Sequence, residues 1–297
     1  MIRLLKPLCV AGMIVLGATL AGAQDRAQVT TVNYPLQYFA QRLLGDGAQV
    51  TFPVPRDVDP SFWRPSIADI SAVQAADLIV LNGAGFATWV DRVSLPRSKL
   101  LNTSAAIKDR FIVTESITHS HGDGGSHSHE GLASYLWLDP TLALAQTEAL
   151  AAAIVARSLA PVEDVAAQLA TLQADLEALD AAAQSALDHL TGVTLIATHP
   201  RYHYFARRYG LTVVSMEWEA GAMPNKAELA QLEALSRDTE ATILLWEAEP
   251  PAAAFEATAA LGLRNVVFPT LAHSVDGGTF LETYAGAVSA LADVAPK

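Results

Sequence analysis

The stretch THSHGDGGSHSHEG, residues 118 to 131, carries four of the chain's eight histidines: His119, His121, His127 and His129. Imidazole suits zinc and copper, and two His-x-His pairs on a Gly-rich tether fit weak, exchangeable capture better than a fixed cage. A solvated His-rich tail without a specific role is the alternative reading of the same composition. A second candidate lies in Thr198-His199-Pro200-Arg201-Tyr202-His203. There His199 follows an apolar strand and precedes a helix predicted to start at Pro200, which places it at a carboxyl end of a sheet, where α/β folds bind ligands. His203, four residues on, would share its face, the i,i+4 spacing that zinc sites on helices use. A structural histidine is the alternative reading of His199, and a structural or surface role is the favoured reading of His203.

Carboxylates offer further donors. Asp59 opens a loop stiffened by Pro60 and Pro65, and such loops at strand ends commonly line sites, although a plain turn explains the composition too. Glu247 and Glu249 end an apolar strand at Leu245-Trp246, and His273 and Asp276 follow the last strand. All four also fit ordinary solvated loop ends. Asp139, before Pro140, is explained by helix capping alone.

Composition narrows the chemistry. Residues 1 to 23 combine basic Arg3 and Lys6, an apolar stretch from Leu8 to Leu20 and small Ala21-Gly22-Ala23, the pattern of a secretory signal peptide. The sole cysteine, Cys9, lies inside it, so the mature chain would have no disulfide and no thiolate ligand. A soft-metal site must then use imidazole with carboxylate beside it. The formal charge of −12 argues against nucleic acid and fits a cationic cargo. No run after residue 23 approaches the roughly 20 apolar residues of a spanning helix, so the mature chain is expected to be soluble.

The elements that must position these groups read as α/β. Strands are predicted at Gln28–Val32, Ala48–Pro53 and Asp77–Leu81, with helices at Tyr34–Leu44 and Asp69–Ala76. A helix over Pro140–Ser158 is followed by the longest periodic element: Val165, Leu169, Leu172, Leu176, Leu179, Ala183, Leu187 and Leu190 recur at intervals of three and four. No glycine or proline interrupts it, which predicts one helix of about 30 residues, roughly 45 Å long. A coiled-coil dimerisation segment is the alternative. Strands at Val193–Thr198, Leu211–Met216, Ala241–Trp246 and Val266–Phe268 then alternate with helices at Pro200–Tyr209, Asn225–Arg237, Pro251–Leu261 and Gly278–Ala292. The expected architecture is two α/β lobes with mostly parallel sheets, residues 24–160 and 192–297, joined by one long rigid helix over 161–191, with a ligand cleft between the lobes.

In this order the segments resemble the periplasmic zinc- and manganese-binding proteins of ABC importers, across essentially the whole mature sequence. The resemblance rests on Asp59-Pro60 with Pro65-Ser66 and Asp69, Ala76–Val80 with Asn82-Gly83, Trp137-Leu138-Asp139-Pro140, and Thr198-His199 with Tyr204-Phe205-Ala206 and Tyr209-Gly210-Leu211. Glu247 ahead of a helix, and the His-rich insertion before Trp137, complete it. It implies a monomeric solute-binding protein, not an enzyme, which carries zinc to an ABC permease in the inner membrane, with manganese or copper as other cargoes. It also implies a pocket with one ligand from each of four stretches, and here the chain departs from the pattern. Ser61 and Tyr135 stand where histidines would be, His199 is retained, and the acidic fourth position falls near Pro269. Zinc wants three or four donors, so Asp59, Glu219, Glu247, His203, His273 and the four histidines of residues 119 to 129 are the candidates to complete the shell or to orient His199. Two rival functions follow from the departure: a periplasmic zinc buffer or metallochaperone working through the His-rich loop, and a divergent relative that binds a metal complex or an organic solute.

Overall fold

The computed structural model describes residues 26–114 and 131–294. The first lobe is built on a four-stranded sheet. Strand β1 (Ala27–Thr31) leads into helix α1 (Tyr34–Leu44), which starts where the Asn33 side chain accepts the amide of Leu36 at 3.1 Å and stops at Gly45, whose φ of +52° an L side chain tolerates poorly. Strand β2 (Ala48–Thr51) follows. Helix α2 (Ile67–Ala75) opens on a reciprocal capping box between Ser66 and Asp69, and strand β3 (Leu78–Leu81) follows it. A short strand β4 (Leu100–Asn102), not foreseen from the sequence, completes a parallel sheet in the order β2-β1-β3-β4. Three residues lie below the length at which alternation can be read, and pairing with Ile79–Leu81 decides their state.

Strands β5 (Val113–Thr114) and β6 (Gly131–Leu132) pair antiparallel and flank residues 115–130. Helix α3 (Pro140–Ala156) is capped by Asp139, which accepts from the Thr141 amide at 2.9 Å and is almost wholly buried. Helix α4 (Val162–Leu187) continues the predicted long element and ends in one tighter turn at Asp188–Leu190. Its buried stripe, Val165, Leu172, Leu176, Leu179, Ala183 and Leu187, packs on this chain's own α1, α3 and a C-terminal helix, α8 (Phe280–Val294). The coiled-coil alternative is thereby corrected, because the apolar seam already has an intramolecular partner. Leu172 is fully buried in it, so Leu172→Ala should lower stability by about 2–5 kcal/mol, read as a lowered midpoint in urea with unchanged m-value.

The second lobe repeats the parallel pattern. Strands β7 (Thr194–Ala197), β8 (Thr212–Ser215), β9 (Ile243–Trp246) and β10 (Arg264–Val267) lie in the order β10-β9-β7-β8, all parallel. Helices α5 (His203–Tyr209), α6 (Lys226–Thr239) and α7 (Ala252–Ala259) connect them. Helix α5 begins at His203 rather than at Pro200. Tyr202, 1% exposed, is pinned by its hydroxyl to the Phe268 carbonyl, and the Arg201 amide turns back to the His199 carbonyl at 2.9 Å, so residues 199–202 form a turn instead of a first helical turn. One continuous cluster of buried side chains takes in Val29 and Ile79 of the first sheet, Leu172 and Leu176 of α4, and Leu195 and Leu245 of the second sheet. The lobes thus share a core.

Candidate metal centre

The parallel register of β7 and β9 brings the site together. Ala197 is paired with Leu245, so the residues that leave the two carboxyl ends, Thr198-His199 and Glu247, emerge side by side. The Glu247 amide donates to Thr198 Oγ1 at 3.3 Å and tightens that junction. His199 Nδ1 stands 3.2 Å from Glu247 Oε2, and the two side chains are 22% and 12% exposed. The approach is within ion-pair reach but lacks hydrogen-bond alignment, and both atoms are buried without a hydrogen-bond partner. Glu247 Oε1 accepts from the Thr270 hydroxyl at 3.1 Å. Burial by itself would raise the Glu247 carboxyl; His199, Arg201 and the Thr270 hydroxyl outweigh it and hold the group below the usual carboxylate range. Glu247 therefore faces His199 as a carboxylate at neutral pH.

Arg201 is the residue that the sequence reading missed. Its side chain is 10% exposed and bridges the two lobes, with Nη2 2.8 Å from Asp59 Oδ2 of the first lobe and Nε 3.9 Å from Glu247 Oε2 of the second. The guanidinium lies over the Tyr135 ring at 4.8 Å and near that of Phe62 at 5.8 Å, both cation–π distances. A basic residue between candidate ligands reads as solvated surface in a one-dimensional string. Its only signal was position, two residues past His199 at a strand's carboxyl end.

The residues in place of the family's first two histidines are already committed elsewhere. Ser61 donates both its amide and its hydroxyl to Asp59 Oδ1, at 2.8 and 2.6 Å, an Asx-type turn that aims the other carboxylate oxygen at Arg201. Tyr135 packs against Phe86 and Trp137, and burial pushes its phenol well above the usual range, so it offers no phenolate. Near Pro269, Thr270 supplies a hydroxyl to Glu247 where an acid was expected.

Other candidates sit apart. The expectation that His203 shares a face with His199 is corrected, since His199 lies outside α5 and the i,i+4 relation has no helix to act through. His203 Nδ1 is buried without a partner, and burial lowers its pKa and keeps the ring neutral. His273 is tied by Nε2 to the Val58 carbonyl at 2.8 Å and stacks on Phe52 at 4.9 Å, while Glu219 is exposed in a turn and Asp276 pairs with Arg56 at the surface. His119, His121, His127 and His129, like the signal-peptide reading of residues 1 to 23, fall outside the described residues. Among the described residues no three His, Cys, Asp or Glu side chains are grouped closely enough to hold a metal ion, and no helix is long and apolar enough to cross a membrane.

Comparison with known proteins gives this geometry its context. A family model described as zinc-uptake complex component A, periplasmic, matches residues 29–294. Zinc-binding lipoprotein AdcA of Streptococcus pneumoniae serotype 4 is 27% identical over 217 residues, which cover 71% of this chain and 43% of that protein. High-affinity zinc uptake system protein ZnuA of Bacillus subtilis is 26% identical over 231 residues, covering 75% and 71%. The chain thus spans under half the length of the streptococcal relatives it matches. In fold it is similar to the metal-dependent lipoprotein YcdH of B. subtilis, with TM-score 0.76, 22% identity, and 90% and 98% of the two chains covered. The Zn(II)-bound ZnuA-like domain of S. pneumoniae AdcA superposes equally well, at TM-score 0.76, 19% identity and the same coverage.

Proposed function

The chain belongs to the zinc-uptake complex component A family, and from that premise we propose that it captures a divalent transition metal, zinc ahead of manganese or copper, for delivery to the permease of an ABC importer. The observation that carries the reading is the facing pair His199 and Glu247, one imidazole and one carboxylate brought to the cleft by adjacent parallel strands. Zinc takes nitrogen and oxygen donors of this kind at about 2.0–2.2 Å and needs three or four of them. Asp59 is a candidate third donor, since its Oδ2 lies 2.8 Å from the same guanidinium that approaches Glu247. His119, His121, His127 and His129 supply imidazole close in sequence to Tyr135, which lines the site. The metal is cargo, and no covalent chemistry is proposed. The frame supports small lobe movements rather than wide closure, because α4 and the shared core tie both halves together. We place the protein in the periplasm, exported by residues 1 to 23, and acting as a monomer.

A second reading is favoured by Arg201. A guanidinium between Asp59 and Glu247 weakens the cleft as a cation site, which suits a zinc buffer or metallochaperone that works through the His-rich stretch. Calorimetric zinc titration separates the two. On the cleft reading His199→Ala does the greater damage; on the buffer reading, deletion of residues 119 to 129 abolishes binding and His199→Ala leaves it intact.

A further inference from the structure

Four polar groups gather where the two lobes meet, with Glu247 Oε2 within ion-pair reach of His199 Nδ1 and Arg201 Nε but without aligned hydrogen bonds. His199 Nδ1, Glu247 Oε2, Arg201 Nε and the Tyr135 hydroxyl are all buried without a hydrogen-bond partner. The Arg201 guanidinium sits among them as the local positive charge, between a carboxylate from each lobe. Its position is enforced from several sides: Asp59 Oδ2 accepts from Nη2 at 2.8 Å, the Tyr135 face lies at 4.8 Å, and Phe62 flanks it at 5.8 Å. Asp59 is itself held by the Ser61 amide and hydroxyl. An arginine never loses its charge under ordinary conditions. A dication that approached His199 and Glu247 would therefore meet a fixed like charge, and Asp59 could serve it only by leaving Arg201.

We propose that Arg201 is a tethered competing cation that determines how tightly, and by which donors, the cleft holds a dication. This rests on the reading of the protein as a zinc carrier. With Arg201 in place, its single positive charge is shared between Asp59 and Glu247, and the site offers an arriving ion one imidazole and a carboxylate already facing a cation. With the guanidinium withdrawn, Asp59 and Glu247 lose their internal counter-charge, and Asp59, which forms no three-donor group with His199 and Glu247 in the described structure, becomes free to move toward them as a third donor of a kind zinc accepts. Arg201 also links the lobes through Asp59 and Glu247, so its release on metal arrival would exchange an internal bridge for a metal-centred one across the same gap.

The test uses the full chain with His119, His121, His127 and His129 changed to alanine, so that only the cleft is read. Zinc is titrated against this parent and against Arg201→Met, Arg201→Gln and Arg201→Lys built in it. Expected is a gain of at least about tenfold in zinc affinity for Met and Gln, with Lys near the parent, because removal of a like charge a few ångströms from a dication is a large electrostatic change in a half-buried site. Adding Asp59→Asn to Arg201→Met should cancel the gain, which a merely structural role for the arginine would not predict. Cobalt(II) absorption reports the same ranking through its ligand-field bands. Unchanged or weaker binding in Arg201→Met and Arg201→Gln, with circular dichroism and thermal midpoint showing both folded, would overturn the inference, as would a gain that survives Asp59→Asn. The carrier reading fails separately, if the unmodified chain takes up no zinc at all.

Discussion

Replacing His199 by alanine should weaken zinc binding by about 100-fold or more, the largest functional loss of any single change in the described cleft. Even partners that only orient a ligand cost about 10–100-fold when removed, and His199 is the one imidazole of the described residues aimed at the Glu247 carboxylate. His273 cannot compensate, being bound to the Val58 carbonyl, and His203 lies at the start of α5. Isothermal titration on the purified chain, with and without residues 119 to 129, measures the effect. A loss smaller than about threefold in both backgrounds would take the cleft out of the function.

Glu247→Gln carries the largest predicted pH-dependent effect on stability. Removing one partner of a buried charge pair typically costs about 3–5 kcal/mol, and because Arg201 keeps Asp59, about 2 kcal/mol is the expected loss at neutral pH. The sign of its pH dependence follows from the direction of the shift. The folded carboxyl titrates below its unfolded counterpart, so its contribution is fully present above the unfolded value of about 4.3 and disappears as pH falls through the lower folded value. Chemical denaturation of the zinc-free protein at pH 7 and at successively lower pH should show the wild type and Glu247→Gln converging in acid. A gap that stays constant down to pH 3 would mean that the carboxylate's charge is not what stabilises the junction.

The frame was largely written in local chemistry. Asn33 before Tyr34-Pro35 and Gly45 after Leu44 bound α1 at both ends, and the Ser66/Asp69 capping box starts α2 close to the predicted place. The leucine spacing of α4 carried over because its stripe meets three helices of the same chain. Strand β4 and the β5–β6 pair were not legible, since two or three residues become strand only through a neighbour. The start of α5 was misplaced because Tyr202 is held by Phe268, 66 positions away, and no local signal reports that bond. For the site, His199 and Glu247 were each visible as strand-end residues. That they face one another depends on β7 lying beside β9, a strand order set by the whole lobe. Arg201 was hidden for the same reason, as its meaning comes from Asp59, 142 positions away.

The short β5–β6 clasp has an evolutionary corollary. Val113 faces Leu132 and Thr114 faces Gly131, where a Cβ would come within 2.5 Å of the Thr114 hydroxyl, so the chain leaves and re-enters the lobe at neighbouring points guarded by a glycine. Closure entropy grows only with the logarithm of what is enclosed, about 0.6 kcal/mol for each doubling. Whatever is spliced between those two points can therefore be lengthened, shortened or exchanged between lineages while the scaffold beneath it keeps its thermodynamic footing.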